Sequence, residues 1–244
     1  EYGGDKGIFF GGHDGSYVGY TNLVSNSGVL QSDTTAVVGV TARDAPAGCS
    51  YGSDKGIFGY GTTGSYVATT NLVSNAGVMA TDVTGVGSAR KWIAACEYSS
   101  DKGIFGFGYT GSVTGVTNLV SNAGVVATDV TAVGTARQAP AACGYGYDKG
   151  IFGFGNLASG YTAVTNLVTN AGVVGSDVAG VGTAIGYLGA CEYGEDKGIF
   201  GFGYGDPSPY ISAVTNLVSN TGVIAGDTAG VGTARAYVGA CSFN

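Results

Sequence analysis

Apolar residues along this chain come in short runs broken by glycine, asparagine or an Asp-Lys pair. Nowhere does an apolar stripe of 3.6-residue period run long enough for a helix. Asp-Lys-Gly-Ile-Phe begins at Asp5, Asp54, Asp101, Asp148 and Asp196, and Thr-Asn-Leu-Val at Thr21, Thr70, Thr117, Thr165 and Thr215. Around the third occurrence the pattern predicts strands at about 103–107, 116–121 and 124–128, with a fourth at about 139–145 spanning the boundary to the next copy. Ser121-Asn122-Ala123-Gly124 reads as a turn, since Asn and Gly tolerate positive φ. The predicted unit is a four-stranded antiparallel meander.

Cut after each recurring cysteine, the chain is five copies, 1–49, 50–96, 97–143, 144–191 and 192–241, forming one domain over 1–244. Four-stranded units repeating at this period point to propeller blades. The end copies look like the middle ones, whereas an open stack needs polar caps, so a closed ring is expected. The expected fold is all-β, a five-bladed β-propeller of four-stranded antiparallel blades. Its ring is closed by a C-terminal inner strand at about 236–243, which completes the first blade and removes two sheet edges. The segments ending in cysteine are small (Ala47-Gly48-Cys49, Ala94-Ala95-Cys96 and their equivalents), as strands converging on a narrow axis require. In Phe105-Gly106-Phe107-Gly108, period-2 geometry puts the rings on one face and Ile104 and Gly106 on the other, so that rings of one blade rest on bare backbone of its neighbour.

Composition narrows the picture. Charged residues make up only 11% of the 244, with 47 glycines and a net charge of −7. An acidic chain with no Lys/Arg patch argues against a nucleic-acid partner, and no run of apolar residues is long enough for a membrane span or a retained signal peptide. The five cysteines, one per copy and without Cys-x-x-Cys, indicate neither a zinc motif nor a full disulfide framework, and read as small buried hydrophobes.

The order of features resembles the kelch-type propeller repeat: an Arg before a small-residue strand, an apolar strand ending in glycines, then a strand rich in Asn, Leu and Val. Copy one comes closest, with Arg43 ahead of Ala47-Gly48-Cys49 and Gly11-Gly12 after Ile8-Phe9-Phe10. Later copies carry Gly-Phe-Gly or Gly-Tyr-Gly in place of the double glycine, and the outer-strand Tyr and Trp of kelch repeats are missing. The stretch 117–129 and the Gly-Thr-Ala-Arg segments are also similar to repeats in structural proteins of marine tailed phages, a resemblance that implies no established activity. In period and copy number alone the chain resembles the five-bladed tachylectin-type lectins.

In a meander, loops after strands two and four share one face and those after strands one and three the other. Comparing the copies, the loop after strand two and the approach to strand one vary most, and both fall on the same face. Together they carry Tyr17, Tyr66, Trp92, Tyr109, Tyr161, Tyr187, Tyr204, Tyr210 and Tyr237. Tyr and Trp on loops of a rigid scaffold suit recognition, so this face is expected to bind a glycan or a protein surface; the bland reading is that the loops drift and the rings pack against neighbouring blades. The competing function is a structural virion component or a scaffold with a protein interface. An extracellular or virion setting follows from either.

Catalysis is not expected. His13 is the single histidine, there is no Gly-x-Ser-x-Gly, and the Gly-x-Gly-x-x-Gly matches at Gly59 and Gly106 lead into strands rather than a helix N-terminus. No cofactor is indicated, and one carboxylate per copy falls short of a calcium site. The Asp of each Asp-Lys turn is expected to bond nearby amides, and the series Arg43, Arg90, Arg137 and Arg235 to pair with an Asp series; Ile185 breaks the Arg series in copy four.

Overall fold

The computed structural model describes residues 1–34, 38–206 and 210–242. Among them the chain is all β-strand and turn, with no helix. Five sheets follow one another along the sequence. The first pairs Gly7–Phe10 with Thr21–Val24. The second joins Ala47–Tyr51, Lys55–Gly59 and Thr70–Val73, and the third Ala94–Tyr98, Lys102–Tyr109 and Val113–Val120. The fourth joins Ala141–Tyr145, Lys149–Gly153 and Thr165–Val168, with a separate small hairpin of Asn156–Leu157 and Gly160–Tyr161. The fifth joins Gly189–Tyr193, Lys197–Gly205 and Tyr210–Val218, with Ile185–Gly186 also on the middle strand. Each cysteine-bearing strand opens the sheet that follows it, so the structural unit begins just before the cysteine.

Three-residue loops, Gly52-Ser53-Asp54 and Ser99-Ser100-Asp101, join the cysteine strands to the middle strands, with φ of 59° and 68° at Gly52 and Ser53 and 58° and 60° at Ser99 and Ser100. Positive φ at two successive residues matches the twist of the flanking strands. The Asp of each Asp-Lys pair faces its Lys (Asp54 to Lys55 Nζ, 2.7 Å) and accepts from the Asn of the turn after the third strand (Asn75 Nδ2 to Asp54, 2.9 Å). It thereby fastens the two turns on this side of the sheet to each other, where bonds to backbone amides were expected.

The strand expected at about 139–145 forms, as Ala141–Tyr145, whereas the one expected at about 124–128 does not. Its residues make only single bridges, such as Val120 to Val126 and Thr117 to Val130. The Asn of Thr-Asn-Leu-Val explains this: Asn118 Nδ2 donates to the carbonyl of Ala127 at 3.0 Å and to Asp129 Oδ1 at 2.9 Å. A side chain thus occupies bonds that a regular ladder would make. The outer segment is pinned at intervals, leaving Val125 and its equivalents Val29, Val78, Val173 and Val223 exposed.

Neighbouring sheets pack through aromatic rings and a buried arginine. Ring centroids of Tyr60 and Phe105 are 5.2 Å apart, of Phe107 and Phe152 5.2 Å, and of Phe154 and Phe200 5.3 Å. A methyl placed on Gly59, Gly106 or Gly153 would meet the Cζ of Phe105, Phe152 or Phe200 at 3.0, 2.7 and 2.9 Å, so these rings do lie on bare backbone. The two rings of one strand, however, do not share a face. Phe107 adopts φ 62°, and the register shifts between Gly106 and Gly108. This bulge turns Phe107 onto the face of Ile104, toward the fourth sheet, while Phe105 packs on the second.

The guanidinium of Arg90 covers the Tyr60 ring at 4.3 Å, and its Nη2 donates to Asn118 Oδ1 in the next sheet at 2.7 Å. Arg43 does the same with Phe10 and Asn71. The Asp series meets these arginines only at a distance, 3.9 Å from Arg90 to Asp129 and 4.0 Å from Arg43 to Asp82. Its closer partners are Asn and the Ser or Thr of the preceding copy, as in Ser88 Oγ donating to Asp129 at 2.5 Å. Ile185 leaves Asn216 Oδ1 buried without a partner.

The cysteine strands pack in order, 47–51 on 94–98, 94–98 on 141–145, and 141–145 on 189–193. They line a cavity of about 110 Å³, completed by Ala240, Cys241, Ser242 and Glu1. All five thiols are free. Four of them sit over glycines of a neighbouring sheet, Cys49 Sγ over Gly103, Cys96 over Gly150, Cys143 over Gly198 and Cys241 over Gly7. Burial pushes the Cys49 thiol up to about 12, which keeps it protonated and unreactive.

The closing strand expected at 236–243 is corrected. Among the described residues no strand lies beyond Val218; Phe243 lies outside them. Segment 238–241 lies between the fifth and first sheets without pairing as a strand: a methyl on Gly189 would meet Val238, one on Gly239 would meet the Phe9 ring at 3.3 Å, and a cavity of about 210 Å³ lies beside it. The two ends still touch, Ser242 N–H donating to Glu1 Oε1 at 3.1 Å. At this seam Phe9 is 43% exposed, whereas Phe105, Phe152 and Phe200 are fully buried. The sheets are small and separate, and no closed ring is formed among the described residues.

Candidate functional site

On the side of the sheets opposite the Asp-Lys turns, the segments leading into the cysteine strands share one unusual conformation. Ala45, Trp92, Ala139, Tyr187 and Tyr237 have φ of 53°, 52°, 49°, 56° and 57°. Bulky residues rarely adopt this left-handed region unless their surroundings over-determine it. Here backbone bonds do so, with Ala139 N–H donating to the Trp92 carbonyl at 2.7 Å, Tyr187 to Ala139 at 3.0 Å and Tyr237 to Tyr187 at 2.9 Å. Each copy thus hands its neighbour a side chain at the same place and angle.

Six of the nine aromatic residues singled out in the sequence meet there in one connected cluster. Centroid separations are 6.0 Å for Tyr66 and Tyr109, 6.0 Å for Tyr109 and Trp92, and 5.8 Å for Trp92 and Tyr187. Tyr237 lies 4.7 Å from Tyr187 and 5.6 Å from Tyr204. Tyr161 borders the cluster, its Cδ1 3.2 Å from where a methyl on Gly186 would stand. Tyr17 stands apart, edge-on to His13 at 5.4 Å. Tyr210 begins the last strand, paired with Gly205 and 39% exposed, and does not join the ring contacts; Pro207, Ser208 and Pro209 before it lie outside the described residues. Burial, with Tyr237 and Tyr161 close by, pushes the Tyr187 phenol up to about 12, so this phenol stays neutral at any physiological pH. Tyr237 remains 67% exposed.

Between the first two loops the cluster opens into a cleft of about 810 Å³ lined by His13, Tyr17, Asp44, Thr62, Tyr66 and Lys91. Lys91 Nζ lies 3.8 Å from the Trp92 ring centre and 5.7 Å from that of Tyr66. Sequence reasoning passed over Lys91 and Asp44 as parts of variable segments; the signal available was that Lys91 alone among six lysines lies outside an Asp-Lys-Gly turn.

The cavity lined by the cysteine strands holds a second cluster. Glu97 and Glu192 are both pushed up to about 7, by burial first and then by the charge of Glu1, with Glu192 adding to the effect on Glu97. The folded protein therefore holds protons that the unfolded chain releases near the ordinary carboxylate value, and stability falls as pH rises through that interval. The Asp residues of the Asp-Lys turns are held below their ordinary value by the neighbouring Lys ammonium, which costs stability only below about pH 4. The melting temperature is thus expected to peak near pH 5 and decline toward pH 7.5, and Glu97→Gln to flatten the decline, as read by scanning fluorimetry over a pH series.

No family model and no curated protein matches the chain. Among solved structures it is similar to a novel fungal alcohol oxidase with catalytic diversity among the AA5 family, in complex with copper, with a TM-score of 0.55 and 13% identity. The match covers 93% of this chain but 63% of that one, so this chain spans less than two thirds of the oxidase. At that identity the likeness concerns the fold. Two expectations are corrected by it. The kinship with kelch-type and phage structural repeats finds no matching family, and the structure that is matched is an oxidase. The expectation of a chain outside enzymology also falls, since the protein sharing this fold is an enzyme. The residues here do not fit that protein's copper: His13 is the single histidine, and among the described residues no three His, Cys, Asp or Glu side chains are placed to hold a metal. No helix is long and apolar enough to cross a membrane.

Proposed function

We propose that this chain is a recognition module whose aromatic loop face binds a saccharide. The observation that carries the reading is the six-ring cluster of Tyr66, Tyr109, Trp92, Tyr187, Tyr204 and Tyr237 beside an open cleft, with Trp92, Tyr187 and Tyr237 presented from left-handed backbone positions. Sugar rings present apolar C–H faces that stack on aromatic side chains, and hydroxyls that need polar partners at the rim. This surface offers both, the rings in a connected array and Asp44, Thr62, Ser65 and His13 along the cleft. The finer architecture belongs to the same reading: five blades set round one axis, with their aromatic loops on a common face.

A second reading, a scaffold or virion component packing through protein contacts, is favoured by the exposed valines repeated at the outer edge, Val29, Val78, Val125, Val173 and Val223. The two readings separate by experiment. Titration calorimetry against a panel of oligosaccharides, chosen from an array, is expected to show binding that Trp92→Ala weakens at least tenfold with the melting temperature little changed. An array without hits, together with self-association abolished by Val125→Lys, would replace the saccharide reading with the scaffold one.

A further inference from the structure

Resting on the saccharide reading, we propose that the cleft between the first two loops is a subsite for a sugar bearing a carboxylate, with Lys91 as its charge partner. The chain carries ten cationic side chains against seventeen acidic ones, and nearly all the cations are spoken for. Five of the six lysines face the Asp that precedes them at 2.6–2.8 Å, on the opposite side of the sheets. Arg43, Arg90 and Arg137 are fully buried between sheets, and Arg235 lies over Phe202 at the open seam. Among the described residues Lys91 is the one lysine with no carboxylate within ion-pair distance.

Its position supplies the rest. The ammonium is held over Trp92 at the edge of the cleft, 5.7 Å from the centre of the Tyr66 ring that lines it, so a pyranose resting on Tyr66 brings a ring substituent to Nζ. The cleft, about 810 Å³, has room for a mono- or disaccharide. His13 lines the same cleft, its Nδ1 accepting from Gly15 N–H at 3.3 Å, and adds a polar ring at the rim. Asp44, which like Lys91 precedes a left-handed residue, accepts hydroxyls along the same cleft and would turn away a carboxylate placed on its own side. That fixes the polarity of the bound sugar, carboxylate toward Lys91 and hydroxyls toward Asp44. Because the protein as a whole is acidic, long-range attraction does not draw the ligand in; the selection is made at short range, by one ammonium held over Trp92.

The test compares a hexuronate-containing disaccharide with its neutral hexose counterpart, by calorimetry at low and high salt, on the full chain and on Lys91→Met. The methionine keeps the length and apolar stem while removing the charge. The wild-type chain is expected to bind the hexuronate about tenfold or more tighter than the neutral sugar, and Lys91→Met to remove that preference while binding the neutral sugar as before. Equal affinity for both sugars, or a Lys91→Met loss that falls equally on both, overturns the carboxylate subsite and leaves saccharide binding standing. If neither sugar binds and the array is blank, the saccharide reading itself fails.

Discussion

Arg90→Ala is expected to lower the unfolding free energy by about 3–5 kcal/mol, the range for emptying a large side chain from a packed core. The Arg90 side chain is fully buried, lies over Tyr60, donates through Nε to the Phe107 carbonyl at 2.9 Å and through Nη2 to Asn118 Oδ1 at 2.7 Å. Its loss opens a void over the Tyr60 ring and leaves both acceptors without a donor. Copy four supplies the comparison. Ile185 stands where the arginine stands elsewhere, is fully buried in the core between sheets four and five, and leaves only Asn216 Oδ1 unpartnered. Arg90→Ile is therefore expected to cost clearly less than Arg90→Ala, because the isoleucine fills volume and an orphaned amide oxygen is tolerable at one junction. Urea unfolding of the two variants measures this. Equal costs would mean that the arginine acts through charge pairing rather than packing, and a cost below about 1 kcal/mol for alanine would show that the junction does not depend on it.

Gly106→Ala is expected to destabilise by about 1–3 kcal/mol, the usual penalty for forcing an extra carbon into a packed core. The added methyl would stand 2.7 Å from Cζ of Phe152, and two further ring atoms lie within 3.2 Å. Phe152 cannot withdraw, being fully buried and edge-on to Phe107. Gly226→Ala, whose new methyl meets nothing within 4 Å, is the control and should be near neutral. Phe152→Leu should relieve the Gly106→Ala clash, so that the double variant is less damaged than the sum of the single ones. Strict additivity would place the strain in the backbone of the bulge rather than in the ring.

Much of the architecture could be read before any coordinates. Identical turns force identical local structure, so five copies of Asp-Lys-Gly-Ile-Phe and Thr-Asn-Leu-Val yielded five strand pairs in the same register, Ile57 opposite Leu72 and Ile104 opposite Leu119. The alternation of loops placed the variable segments on one side, and six of the nine aromatics picked out there came together. The role of the motif asparagine was hidden, although its recurrence with an aspartate eleven residues later in Asn71 and Asp82 was visible. A side chain that substitutes for a strand's hydrogen bonds looks the same, in a string of letters, as one that faces solvent.

The sequence by itself determined that the chain is all strand and turn, which motifs pair in register and where the small residues before each cysteine fall, because these depend on period-2 patterning and turn chemistry that act within a few residues of one another. Only the tertiary structure decided the rest. The left-handed bulge at Phe107 reversed the face of its ring, the Asn side chains displaced an outer strand, and the last segment settled between the fifth sheet and the first without pairing as a strand. Each of these is a competition between contacts distant in sequence, decided by which neighbour supplies the better packing or hydrogen bond, and no local pattern encodes that comparison.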